Sequence, residues 1–122
     1  MRLQGTQTMS IQQWSDHILL VELADDPHFT SELDSLMAVL ARRSDVDVVL
    51  NMSEVTFVNS SNLARLLKLR KVMITKDRQL RLCGLRTELW SAFLVTGLDA
   101  IFEFADDVAT ALASLQMSGE NR

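Results

Sequence analysis

Apolar and polar positions change period several times along the chain, and each change marks an element. His17-Ile18-Leu19-Leu20-Val21-Glu22-Leu23 is partly continuous and partly alternating, which predicts a strand. Ser10 to Trp14 can pair with it as an edge. The period then lengthens: Leu33, Leu36, Met37 and Leu40 recur at helical spacing, with Thr30 or Ser31 as the expected cap and Asp34 three residues after Ser31. Val46-Asp47-Val48-Val49-Leu50 ends in a continuous apolar run, as a strand covered on both faces requires, and is the central-strand candidate.

A short connection, Asn51 to Val58, leads to Asn59-Ser60-Ser61. From there Leu63, Leu66, Leu67, Arg70 and Ile74 keep helical spacing with basic residues beside them. Lys76-Asp77 makes a turn, and Gln79 to Cys83 reads as another strand. Leu85, Leu89, Trp90, Phe93 and Leu94 lie on adjacent helical rows that Gly97 can close in left-handed conformation. Leu98 to Phe104 holds a last short strand. Asp106 or Asp107 starts a final helix with Val108, Leu112 and Leu115 on its buried stripe. The alternation predicts an α/β fold in one domain, 14–116, between an N-terminal segment, 1–13, and a polar tail, 117–122. Its sheet is mostly parallel, with four to five strands, an antiparallel N-terminal strand and about four helices.

Composition agrees with one globular unit. With 122 residues, 48% hydrophobic and 23% charged, the chain can bury roughly two thirds of its unfolded surface around a single core. Glycine and proline are scarce, so no linker or repeat marks a second domain. The single cysteine, Cys83, excludes a disulfide framework and a cysteine-based zinc cluster. No apolar run approaches the roughly 18 residues of a membrane span, and Met1 to Gln13 lack the apolar stretch of a signal peptide. The expectation is a soluble cytoplasmic protein without membrane insertion.

Charge narrows the partners. A net charge of -4 makes the molecule a poor match for nucleic acid. Eight basic residues stand between Arg65 and Arg86 against the single acid Asp77, leaving that segment at +7 and the remainder at -11. Surfaces of opposite sign steer protein partners, although solvated helix and turn faces also produce such runs.

Enzyme motifs are mostly absent. Gly5, Gly84, Gly97 and Gly119 are too far apart for a phosphate-cradling loop. His17 and His28 both lie in the first 28 residues with no Asp-His-Ser constellation, and Cys83 sits inside an apolar strand as a packed small hydrophobe. Asp25-Asp26-Pro27-His28 can be drawn as half a metal site, but turn formation by Asp26-Pro27 accounts for it. No metal, cofactor or catalytic residue is expected.

The informative stretch is Val48 to Leu67. Asn59-Ser60-Ser61-Asn62-Leu63 places two hydroxyls and two amides at a helix start, more than one cap needs. An exposed hydroxyl there is a favourable place for phosphate, because free N–H groups and the helix dipole both favour a dianion. Arg65, four residues after Ser61, lies on the same helical face.

These residues resemble the STAS domain, the fold of bacterial anti-sigma-factor antagonists. The family pattern is an apolar strand, then Asp or Asn with Leu and Ser, a loop with an aromatic, then Asp-Ser-Ser-Gly-Leu opening a helix. Here it reads Val48-Val49-Leu50-Asn51-Met52-Ser53, Phe57-Val58 and Asn59-Ser60-Ser61-Asn62-Leu63. A later signature is matched by Val95-Thr96-Gly97-Leu98-Asp99-Ala100-Ile101-Phe102, and the resemblance spans about His17 to Leu115. Asn59 stands where the family has Asp, Asn62 replaces Gly, and Leu23-Ala24 precede Asp25-Asp26 without the family's loop Gly.

The resemblance implies a non-catalytic module that docks on a kinase-type anti-sigma factor and is switched by phosphorylation of the motif's second serine. It implies Ser61 as phosphoacceptor and Asp26 as the matching acid of the loop before the first helix; with the helix start read above, Asn59, Ser60 and Asn62 are then expected as a docking rim and Arg65 as a phosphate partner or contact. The alternative it leaves open is an accessory subunit of a lipid-trafficking ABC transporter or of a stress-signalling assembly, without covalent control. Trp90, Phe93 and Leu94 bear on that choice: they pack in the core or present a face to a permanent partner.

Overall fold

The computed structural model describes residues 10–120. Residues 1–9 of the expected N-terminal segment and 121–122 of the tail lie outside the described residues. β1 (Ile11–Ser15) pairs antiparallel with β2 (Ile18–Ala24), and a crossover through α1 (His28–Leu40) leads to β3 (Asp47–Glu54). α2 (Ser60–Thr75) leads to β4 (Leu80–Cys83), and α3 (Thr87–Thr96) with a 3₁₀ turn (Leu98–Ala100) leads to β5 (Phe104–Ala105). α4 (Val108–Glu120) follows. β2 to β5 are parallel, and the five strands lie in chain order, so the expected mixed sheet with one antiparallel N-terminal strand is the fold observed.

Alternation along the strands divides the core in two. Leu19, Val21 and Leu23 of β2, Val48, Leu50 and Met52 of β3, and Leu80 and Leu82 of β4 face one side. There they meet Phe29, Leu33, Leu36 and Leu40 of α1, Leu66, Leu69 and Met73 of α2, and Leu89 and Phe93 of α3. Ile18, Leu20, Val49 and Cys83 point to the other side, under Ala111, Leu112 and Leu115 of α4. β3 is therefore buried on both faces, as its apolar run requires.

Four features differ from the sequence reading. β3 continues through Asn51 to Glu54, because Asn51 pairs with Cys83 of β4 and its amide donates to Glu22 Oε1 at 2.7 Å. Polar residues there are satisfied within the sheet. α1 starts at His28, not after Thr30 or Ser31, since the Asp26 carboxylate takes the Thr30 N–H at 2.8 Å. Leu98 to Phe104 is mostly a turn: the N–H groups of Ala100, Ile101 and Phe102 bond back to Gly97 and Leu98, and only Phe104–Ala105 pair with β4. The buried stripe of α2 is Asn62, Leu66, Leu69 and Met73, while Leu67 and Ile74 face outward.

Other turns hold as read. Asp77 closes the α2–β4 turn at φ 57°, and Gly97 ends α3 at φ 77°. Phe93 is fully buried, and half-buried Trp90 stands edge-on to Phe104 with centroids 4.9 Å apart. Leu94 and Val95, by contrast, face outward.

Candidate functional site

The candidate site lies where β3 hands over to α2. Asn59 holds extended backbone (φ -103°, ψ 179°) and caps the helix. Its Oδ1 accepts the Asn62 N–H at 2.8 Å, and Asn62 Oδ1 accepts the Asn59 N–H at 3.0 Å. The amide pair thus satisfies two backbone donors reciprocally, the arrangement of a capping box. The N–H groups of Ser60 and Ser61, in the first turn between them, have no acceptor among the described residues.

The preceding loop is pinned from β2–α1. Asp25 Oδ1 accepts from Thr56 N–H at 2.7 Å and from Phe57 N–H at 3.3 Å, and its other oxygen takes the Thr56 hydroxyl. Asp26 Oδ2 accepts from Asn62 Nδ2 at 2.9 Å. Two successive aspartates therefore fasten the two ends of one loop. Those bonds hold both carboxyls below the ordinary range: the Thr56 hydroxyl leads for Asp25, and the Asn62 amide followed by Thr30 leads for Asp26. His28 completes the loop, with Nδ1 3.1 Å from the Ala24 N–H and Nε2 3.2 Å from Ser10 Oγ. Asp25, Asp26 and His28 are each committed elsewhere, and among the described residues no group of three His, Cys, Asp or Glu could hold a metal ion.

Ser60 and Ser61 are exposed at the mouth of α2, as is Asn59. Asn62 departs from the expectation of a docking rim: it is 2% exposed, because its side chain turns inward to Asn59 and Asp26. Where glycine would leave a gap, this chain has an amide that bonds the two loops together. Arg65 Nη1 donates to Ser61 Oγ at 2.9 Å while its Nε donates to Asp34 Oδ1 of α1 at 3.2 Å. Ser61, Arg65 and Lys68 of α2 face Leu33, Asp34 and Met37 of α1 across a shallow groove.

The arrangement brings Asp26, Asn59, Ser60, Ser61, Asn62 and Arg65 together. Two neighbours escaped sequence reasoning as members of the site, Asp25 and Asp34, while Phe57 reads in the sequence only as the aromatic of the preceding loop. Phe57 is 67% exposed beside the site although Val58, next to it, is buried. The aromatic of the family's loop was a legible signal for Phe57, but nothing local announces that Asp34 reaches a residue 31 positions away. Chemically, the site offers an accessible hydroxyl held by a cation, with no base positioned to activate it among the described residues.

The STAS domain family profile matches residues 10–111. No curated protein sequence matches the chain. Among solved structures, the chain resembles a variant of RsbS from Moorella thermoacetica in which glutamate replaces a serine, with a TM-score of 0.77 at 15% identity over 90% of this chain and 96% of that one. It resembles the anti-sigma factor antagonist SpoIIAA in its unphosphorylated form, TM-score 0.65 at 10% identity over 85% and 93% of the two chains. SpoIIAA of Bacillus has also been solved phosphorylated. A sulfate transporter family protein from Wolinella succinogenes gives a TM-score of 0.72 at 21% identity over 84% and 88%. No helix among the described residues is long and apolar enough to cross a membrane. The profile match covers most of the sequence and coincides with the sheet order and the helix-mouth motif, so the chain belongs to the STAS domain family.

Proposed function

We infer that the protein is an anti-sigma-factor antagonist: a non-catalytic, cytoplasmic module that docks on a kinase-type anti-sigma factor through the face around Asn59, Ser60, Ser61 and Arg65 and is released when Ser61 is phosphorylated. The single observation that carries this reading is the Ser61 hydroxyl, exposed one residue into α2. Asp26 and Asn62 serve it by fixing the loop rather than by touching the partner. Likeness of fold to RsbS and SpoIIAA supports the reading.

In the switch, Ser61 Oγ attacks the γ-phosphorus of ATP held by the kinase. The new O–P bond forms as the bond to the bridging oxygen breaks, ADP leaves, and the hydroxyl proton passes to the kinase or solvent. The modified residue carries about -1.5 to -2 charge. At a helix N-terminus that charge stabilises the free domain by about 0.3–1 kcal/mol. Set against a partner surface that fits a neutral hydroxyl, the dianion costs several kcal/mol even beside one guanidinium, because net negative charge and its hydration remain to be buried, and every 1.4 kcal/mol is about tenfold in affinity. The interface wins, so binding is lost without refolding.

The test is incubation with a kinase-type anti-sigma factor and ATP. A phosphate mass shift that Ser61→Ala abolishes supports the antagonist; no transfer counts against it. The second reading, an accessory subunit of a transporter or signalling assembly using the same face without covalent control, draws on the likeness to the Wolinella protein. A stable complex with a transporter ATPase and no phosphoryl transfer is its signature.

A further inference from the structure

We propose that Arg65 is an intramolecular receptor for the phosphate on Ser61 and that Asp34 is its competitor, so that modification transfers Arg65 from α1 to the phosphoserine. The inference rests on the reading of Ser61 as phosphoacceptor. It adds a cation supplied by this chain itself, where a partner would otherwise have to supply one.

The geometry already contains both halves. One guanidinium bonds Ser61 Oγ through Nη1 at 2.9 Å and Asp34 Oδ1 through Nε at 3.2 Å. A phosphoryl group on Oγ therefore grows from an atom Arg65 already touches. Guanidinium matches phosphate with two parallel bonds, and a dianion outcompetes a single exposed carboxylate. The Asp34 side chain is 62% exposed, so its pair with Arg65 is screened and contributes little. Once the phosphate is present, Asp34 also faces it as a like charge across the groove. Lys68 lines the same groove one turn further on, and Asp26 lies within electrostatic reach of Arg65. Cation and carboxylates thus oppose one another around one hydroxyl, and adding charge there decides which of them Arg65 holds.

The consequence is a link between α1 and α2 that exists only in the unmodified protein. A partner that reads the Asp34–Arg65 pair as well as the hydroxyl loses both features in one event.

The experiment installs phosphoserine at position 61 of the full chain during translation, which needs neither kinase nor partner, and follows the phosphate by ³¹P NMR titration. An unperturbed phosphoserine has its second pKa near ~6. In the otherwise native chain the midpoint falls below that of the Arg65→Gln variant by about half a unit or more. Asp34→Asn lowers it further, and Lys68→Gln moves it less than Arg65→Gln does. Circular dichroism confirms that each variant is folded. An unchanged midpoint in Arg65→Gln, an upward shift in Asp34→Asn, or an effect of Lys68→Gln as large as that of Arg65→Gln overturns the proposal. Failure of a kinase to modify Ser61 would instead sink the antagonist reading and leave this titration standing.

Discussion

Asn59 and Asn62 each accept the other's backbone N–H, at 2.8 and 3.0 Å, and close the entrance of α2 as a ring of two amides. Asn62 also spans to Asp26. Replacing Asn62 with Gly, the family's residue, removes the side chain from both tasks. A lost cap is worth about 1 kcal/mol and a lost bond to a charged acceptor about 1.5–3 kcal/mol. Urea unfolding of Asn62→Gly should show a loss of about 3 kcal/mol, with Asn59→Ala losing about 1 kcal/mol. A neutral Asn62→Gly would mean the amide ring contributes nothing.

Asp25 and Asp26 set an acid limit on the site loop. Both carboxyls are depressed in the folded protein, so their contribution is complete above the unfolded value of about 3.9 and is lost as pH falls through the lower folded values. The midpoint of urea unfolding should drop as pH falls below about 4 and go on dropping through the lower folded values, and the double variant Asp25→Asn, Asp26→Asn should flatten that dependence. An equally steep fall in the double variant would place the acid sensitivity elsewhere.

Ser61→Asp separates docking from folding. Its far-UV spectrum should overlay that of the native protein, because the residue is exposed and an acid suits the first helical turn. Affinity for the proposed anti-sigma-factor partner should fall at least about tenfold, or about 1.4 kcal/mol. Unchanged affinity with intact secondary structure would count against the switch.

Two glycines separate strain from crowding. Gly84 and Gly97 have φ of 72° and 77°, the left-handed region. A Cβ at Gly97 meets open space, so Gly97→Ala should cost about 1 kcal/mol from backbone strain alone. A Cβ at Gly84 would stand 3.0 Å from Asn51 Oδ1 and 3.3 Å from Ser53 Cβ, against the end of β3. Gly84→Ala should be clearly the worse of the two in thermal unfolding, and equal losses would remove the argument from crowding.

Cys83 should be chemically quiet. Burial pushes its thiol up to about 11, with Glu22 and Asp107 adding repulsion of the thiolate. Disulfide reagents at about pH 8 should react only as fast as the protein opens, since so little of the buried thiol is ionised there. A rapid reaction in the native state would contradict the placement under α4.

Much of this architecture was legible because periodicity follows burial. Val48-Val49-Leu50 announced a strand covered on both faces, and Gly97 announced a left-handed helix end. What escaped was tertiary. Asn51 looked like the end of a strand because its amide partner, Glu22, lies 29 residues away. Thr30 and Ser31 looked like caps because no local pattern shows that Asp26 already serves Thr30. At the site, the type of residue in Asn59-Ser60-Ser61-Asn62 was readable, but the inward turn of Asn62 depends on Asp26 across the loop, and the grip of Asp34 on Arg65 depends on how two helices pack.

The five strands stand in the sheet in the order in which they leave the chain, β1 to β5. Every strand therefore finds its neighbour within one crossover, and no pairing must wait for a distant segment. Each parallel pairing still closes a loop of some 22 to 32 residues, as between Ile18 and Asp47, Val48 and Leu80, and Leu82 and Phe104, so only the β1–β2 hairpin is a local contact. Synthesis can lay down β1 to β3 and the Ser61 turn before α4 has emerged, leaving the face that α4 covers as the last apolar surface to be withdrawn from water.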